Sequence, residues 1–209
     1  MKNKKTPLSP KKKKILIAAL AAAVVALGIG AFFLIRHFTA PEENSPRSIV
    51  YFPADYEKDI LSDPVYLDFD RTLHYTKDGV TGQFDENNIA SASPECRFLM
   101  EVIRCVILGD WENYPSFFLD PASVEKKEFT MQELYDIEAD FGGVSEEQTE
   151  NGTLSVLNYR VRYRIHRNNG TYRSGIYSDA KTTQIYQLTL TESGFYKLYR
   201  ILDVIYDAP

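Results

Sequence analysis

Three kinds of side chain in this sequence could carry chemistry. Histidine and aspartate could move protons, cysteine could serve redox or metal work, and arginine and tyrosine could bind. General acid–base catalysis needs a titrating group held in a cleft. His74, His166, Asp136 and Asp140 are the groups weighed for that role. His166 follows Arg160, Arg162 and Arg164 at a spacing of two, so it shares their outward strand face and reads as a solvated residue. Asp136 and Asp140 fall on the polar face of their own alternating segment, and His74 sits in a hairpin where it could face either way. No Gly-x-Ser-x-Gly, phosphate loop or dinucleotide glycine pattern occurs. The expectation is a chain with no catalytic, cofactor-binding or metal-binding residues.

The two cysteines, Cys96 and Cys105, lie nine residues apart in a segment that the pattern reads as a helix. That spacing puts them on opposite faces, about 13 Å apart along the axis. A disulfide needs Cα atoms within about 7 Å, so none is expected between them. Cys105 reads as a small core residue and Cys96 as a residue near the helix start.

Arg160, Arg162 and Arg164, with Arg167 and Arg173 beyond them, form a candidate docking face for an acidic partner. The plainer reading, favoured here, is a solvated sheet face balanced by carboxylates on neighbouring strands. Trp111, Tyr163 and Tyr186 are candidate pocket or core aromatics, and Trp111 reads most simply as a core anchor beneath a sheet. Asn151-Gly152-Thr153 and Asn169-Gly170-Thr171 match glycosylation acceptors, but hairpin turns already explain both Asn-Gly pairs.

Those side chains must be held by elements that the pattern suggests. Ser93-Pro94 opens a helix whose stripe is Phe98, Leu99, Val102, Ile103, Val106 and Ile107, with Gly109 as terminator. Asp110 then caps a shorter helix bearing Trp111, Tyr114, Phe117 and Phe118. Upstream, residues 65–84 read as a hairpin around Asp78-Gly79. Residues 129–141 read as a short helical turn feeding a strand along Tyr135, Ile137, Ala139 and Phe141. Tyr159, Val161, Tyr163 and Ile165 mark a half-buried strand, followed by strands through Tyr186 to Leu190 and Phe195 to Tyr206. Asn151-Gly152, Asn169-Gly170 and Glu192-Ser193-Gly194 supply three hairpin turns, hence an antiparallel meander.

The N-terminus sets the location. Residues 15–35 carry no charge or strong polar group and span about 30 Å as a helix, the thickness of a bilayer core. The run is longer than the apolar region of a cleavable leader, so it reads as a retained anchor through the lipid bilayer. Seven lysines precede it within the first fourteen residues, and no acidic residue occurs before Glu42. The positive-inside rule therefore puts the N-terminus in the cytoplasm and residues 36–209 outside the cell membrane. Beyond residue 14, 17 basic residues face 29 acidic ones, a net −12, which argues against nucleic acid as a partner. The organisation expected is a basic tail at 1–14, the span at 15–35, a linker at 36–50, a hairpin extension at 51–92 and an exported α+β domain at 93–209.

The segments CRFLMEVIRCVILGDWENYPSFF (96–118), YRVRYRIHR (159–167) and TQIYQLTLTESGFYKLYRILDVI (183–205) run in the order helix, short helix, antiparallel strands. Over residues 93–206 this order resembles the nuclear-transport-factor-two-like superfamily. The resemblance implies an α+β cone fold, in which a curved antiparallel sheet wraps two N-terminal helices. Its layout of tail, span and exported domain is also similar to the inner-membrane assembly factors of type IV secretion and conjugation machines. That similarity implies a scaffold that self-associates and touches other machine components. The expected function is a non-catalytic, membrane-anchored, extracytoplasmic interaction or assembly module, with a protein partner or a second copy. The alternative is a cone domain that binds a small ligand.

Overall fold

The computed structural model describes residues 48–150 and 152–204. The tail at 1–14, the span at 15–35, most of the linker at 36–50, and Asn151 lie outside the described residues. Among the described residues, no helix is long and apolar enough to cross a membrane.

A single helical turn, α1 (Pro64–Leu67), stands where alternation predicts the start of a strand. Asp63 accepts the Val65 N–H at 3.0 Å, and Pro64 presets the first helical φ. This capping outweighs the alternating pattern, so the hairpin begins only at Leu73. Its strands are β1 (Leu73–Lys77) and β2 (Val80–Phe84). Asp78 and Gly79 both take positive φ, 51° and 79°, as a two-residue hairpin turn demands.

Helix α2 (Pro94–Ile107) is capped by Ser93, whose hydroxyl accepts the Cys96 N–H at 3.4 Å. Its C-terminus closes with the Asp110 N–H donating to Cys105 O and the Gly109 N–H to Val106 O. Gly109 sits at φ +66°, the left-handed position that such a cap requires. A side chain there would lie 2.5 Å from the Met131 backbone nitrogen, so the close approach also demands glycine. The second helix expected from Asp110 is only a 3-10 turn at Tyr114–Phe117. Pro115 has no N–H to continue an α-helical ladder at that point. Trp111 consequently lies in a turn, half-buried and outside the core cluster, rather than anchoring the core.

No helical turn forms at 129–132; the chain runs directly into β3 (Glu133–Thr149). A bulge at Asp136 (φ 53°) breaks the alternation. Leu134 and Ile137 therefore both face the core, and Tyr135 moves to the outer face opposite Arg164. Strands β4 (Gly152–His166), β5 (Thr182–Leu190) and β6 (Tyr196–Asp203) follow. Asn169-Gly170 does not make a tight hairpin, because residues 167–181 form an ordered loop between β4 and β5. Buried Asn168 ties that loop by donating to the carbonyls of Arg173 and Ile176.

The fold is α+β, with a six-stranded sheet in the order β2-β1-β3-β4-β5-β6. The sheet is mixed, which corrects the expectation of a wholly antiparallel one. β1 runs parallel to β3, Leu73 opposite Ile137, while every other pair is antiparallel. The connection between these parallel strands runs through β2, α2 and the 3-10 turns that follow it. The hairpin is thus part of one sheet with the later strands. The core joins Leu99, Val102 and Ile103 of α2 to Tyr159, Val161, Tyr186 and Leu188 of the sheet. Cys96 is in this core, whereas Cys105 is buried beside it, its thiol 3.1 Å from Asp110 O. Both cysteines are free.

Candidate functional site

Where the loop at 167–181 meets the 3-10 turn after α2, a recess of about 400 Å³ opens beside β5 and β6. Four of the five rings that line it pack against one another. Tyr114 meets Phe118, Phe129 and Tyr172 edge-on at centroid distances of 5.5, 5.6 and 6.1 Å, and Phe129 meets Tyr172 at 5.3 Å. Such edge-to-face contacts fix each ring against its neighbours. The two halves of the wall come from distant segments: Pro115 turns Tyr114 and Phe118 inward, and the Asn168-tied loop delivers Tyr172.

The polar side is a chain of bonds. The Tyr163 hydroxyl donates to Gln184 Oε1 at 2.7 Å, and Gln184 Nε2 donates to Asp203 Oδ1 at 2.9 Å. Asp203 also accepts from Arg173 Nη1. The Arg173 side chain is only 13% exposed, yet its buried Nε–H has no acceptor. Behind it, the Tyr172 and Tyr186 hydroxyls lie 3.4 Å apart. Burial pushes the phenols of Tyr114, Tyr172 and Tyr186 well above their ordinary value. These groups stay protonated and serve as hydrogen-bonding partners, not as bases. Burial works to raise the Asp203 carboxyl, but Arg173 and Gln184 outweigh it and hold it below its usual range. Exposed Lys127 and Glu125 stand at the rim.

Tyr163 and Tyr186 are core residues, 1% and 2% exposed, lying behind the recess rather than lining its mouth. Trp111 lines no part of it. The arginine row is largely neutralised. Arg162 pairs with Glu138 and Asp140, Arg164 with Asp136, and Arg167 with Asp63 and Glu133. Arg160 is exposed and makes no ion pair among the described residues. His166 Nδ1 lies 3.0 Å from Asp179, and its ring packs 4.9 Å from Phe69. His74 Nε2 lies 2.8 Å from Asp70 Oδ2. Neither histidine lines the recess.

Phe129, Gln184 and Asp203 carry no motif that sequence reading would single out. In the sequence Arg173 stands out only as a charge near the arginine row, and nothing distinguishes Tyr172 among fourteen tyrosines. A larger groove of about 630 Å³ runs beside α2, between residues 61–72 and 85–89. Its charges are of both signs, with Arg71, Arg97 and Arg104 facing Asp85, Glu86 and Glu101, and it offers no comparable buried cation. No family model matches the chain, and no curated protein or solved structure gives a match to it.

Proposed function

We propose that this chain is a membrane-anchored, non-catalytic binding protein. Residues 15–35 cross the cell membrane, residues 1–14 stay in the cytoplasm, and the α+β unit, a cone-type domain, is held outside. The uncharged run and the seven preceding lysines support this placement. The binding role rests on one observation: an aromatic-walled recess with a buried arginine beside it. A concave site that joins aromatic walls to convergent polar groups is a usual form of small-ligand site. The phenols of Tyr114 and Tyr172 are held protonated, which suits recognition rather than proton transfer.

The second reading is an assembly module in an envelope or secretion complex. Exposed Val50, Phe52, Tyr56, Val65 and Leu67, all on the N-terminal stretch, favour it.

Full-length protein in nanodiscs separates the two readings. A melting temperature raised by the small-molecule fraction of native cells supports the recess. No such rise, together with a reproducible set of crosslinked envelope proteins from native membranes, supports assembly. Protease added to intact cells should remove residues 36–209; full protection would overturn the exported placement.

A further inference from the structure

We propose that the recess binds an organic carboxylate, with its acid group on Arg173 and its aromatic or alkyl body against Tyr114, Phe129 and Tyr172. The inference deepens the ligand-recess reading and rests on it.

The argument begins with the guanidinium. Asp203 takes Arg173 Nη1. The Nε–H is buried and has no acceptor, one of two such side-chain nitrogens among the described residues. Arg173 lines the recess, and its planar guanidinium is the cation whose donors match the two oxygens of a carboxylate. The site is also largely dry around this group, where a charge-assisted bond is stronger than in water.

The ring walls choose the body. Phe118, Phe129, Tyr114 and Tyr172 line the recess beside Arg173 and offer a body-binding wall of packed rings. Inorganic phosphate would satisfy the arginine and leave this wall unused. A quaternary ammonium would suit the rings alone. Arg173 opposes it, rim Lys127 and Glu125 offset each other, and Asp203 already accepts from both Arg173 and Gln184.

The test uses the full-length chain in nanodiscs, titrated by calorimetry with phenylacetate, hexanoate, inorganic phosphate and benzyltrimethylammonium. Phenylacetate and hexanoate should bind, and phosphate should bind far more weakly. Arg173→Lys keeps the charge but removes the planar fork, and should weaken phenylacetate about tenfold or more. Lys127→Glu alters only an exposed rim residue, so it should fold normally and weaken phenylacetate several-fold. Phosphate binding as tightly as phenylacetate would overturn the apolar body. Undiminished binding by folded Arg173→Lys would overturn the role of Arg173. If benzyltrimethylammonium binds and the carboxylates do not, the ligand class fails while the recess reading stands. Silence from every probe overturns both.

Discussion

Arg167 Nη2 donates to Asp63 Oδ2 at 2.5 Å, joining residues 104 apart in sequence. The same side chain donates through Nε to Glu133 Oε2 at 2.9 Å, and Lys58 reaches both carboxylates. One arginine at the end of β4 thus ties α1, the start of β3 and the loop that supplies Tyr172. Arg167→Ala leaves Glu133, 5% exposed, with Lys58 as its remaining cation. Partial exposure of the arginine limits the loss, so about 1–2 kcal/mol is expected by urea denaturation.

Gly109→Ala should cost about 2–3 kcal/mol, because a forced left-handed φ adds to a clash with the Met131 backbone. Gly175, at φ +84°, has open space around its missing side chain. Gly175→Ala should therefore cost only about 1 kcal/mol. Equal losses from paired melting curves would show that the β3 entry does not crowd the end of α2.

Burial pushes the thiols of Cys96 and Cys105 up to about 12. Neither should react with a thiol-specific dye at pH 8 in the native protein. Both should react once denaturant unfolds it. A fast native thiol would mean that α2 does not bury its two faces as described.

Acid should weaken the fold. Burial works to raise the Glu95 carboxyl, but the Lys77 ammonium, with the Ser93 hydroxyl and the helix backbone, outweighs it and holds the group below its ordinary value. Asp203 is lowered in the same sense. A carboxyl lowered in the folded state contributes stability above its unfolded pKa, about 4, and loses it as pH falls through the folded value. The urea midpoint should hold from neutral pH down to about 5 and fall below about 4. Glu95→Gln should lower the neutral midpoint and flatten the acid limb.

The arginine row should divide by partner. Arg162→Ala breaks contacts to Glu138 and Asp140 and should cost up to about 1 kcal/mol. Arg160→Ala breaks no ion pair and should stay within about 0.5 kcal/mol. Chemical denaturation of both variants checks this, and a larger loss at Arg160 would reveal a contact that the geometry does not show.

Much of the frame is readable locally. Ser93, Pro94, the apolar stripe and Gly109 specify α2 because a cap, a preset φ, a period of 3.6 and a left-handed residue are all short-range features. Asp78-Gly79 and the alternation of Tyr159, Val161, Tyr163 and Ile165 specify a turn and a strand in the same way. Elsewhere one or two residues defeat a local reading: Pro115 prevents a second helix, Asp63 and Pro64 replace a strand start with a helical turn, and the Asp136 bulge turns Tyr135 outward.

Composition and order alone dictate an uncharged run long enough to span a bilayer, an acidic remainder and an α+β chain. Periodicity carries that information because it resides in neighbours three or four residues apart, or two. Tertiary structure decided that β1 lies parallel to β3, which carboxylates balance Arg162 and Arg164, and that Tyr114, Phe129, Tyr172 and Arg173 share one recess. Those relationships join segments tens of residues apart. Their energies come from burial and charge pairing that exist only after the chain has closed, so no local pattern encodes them.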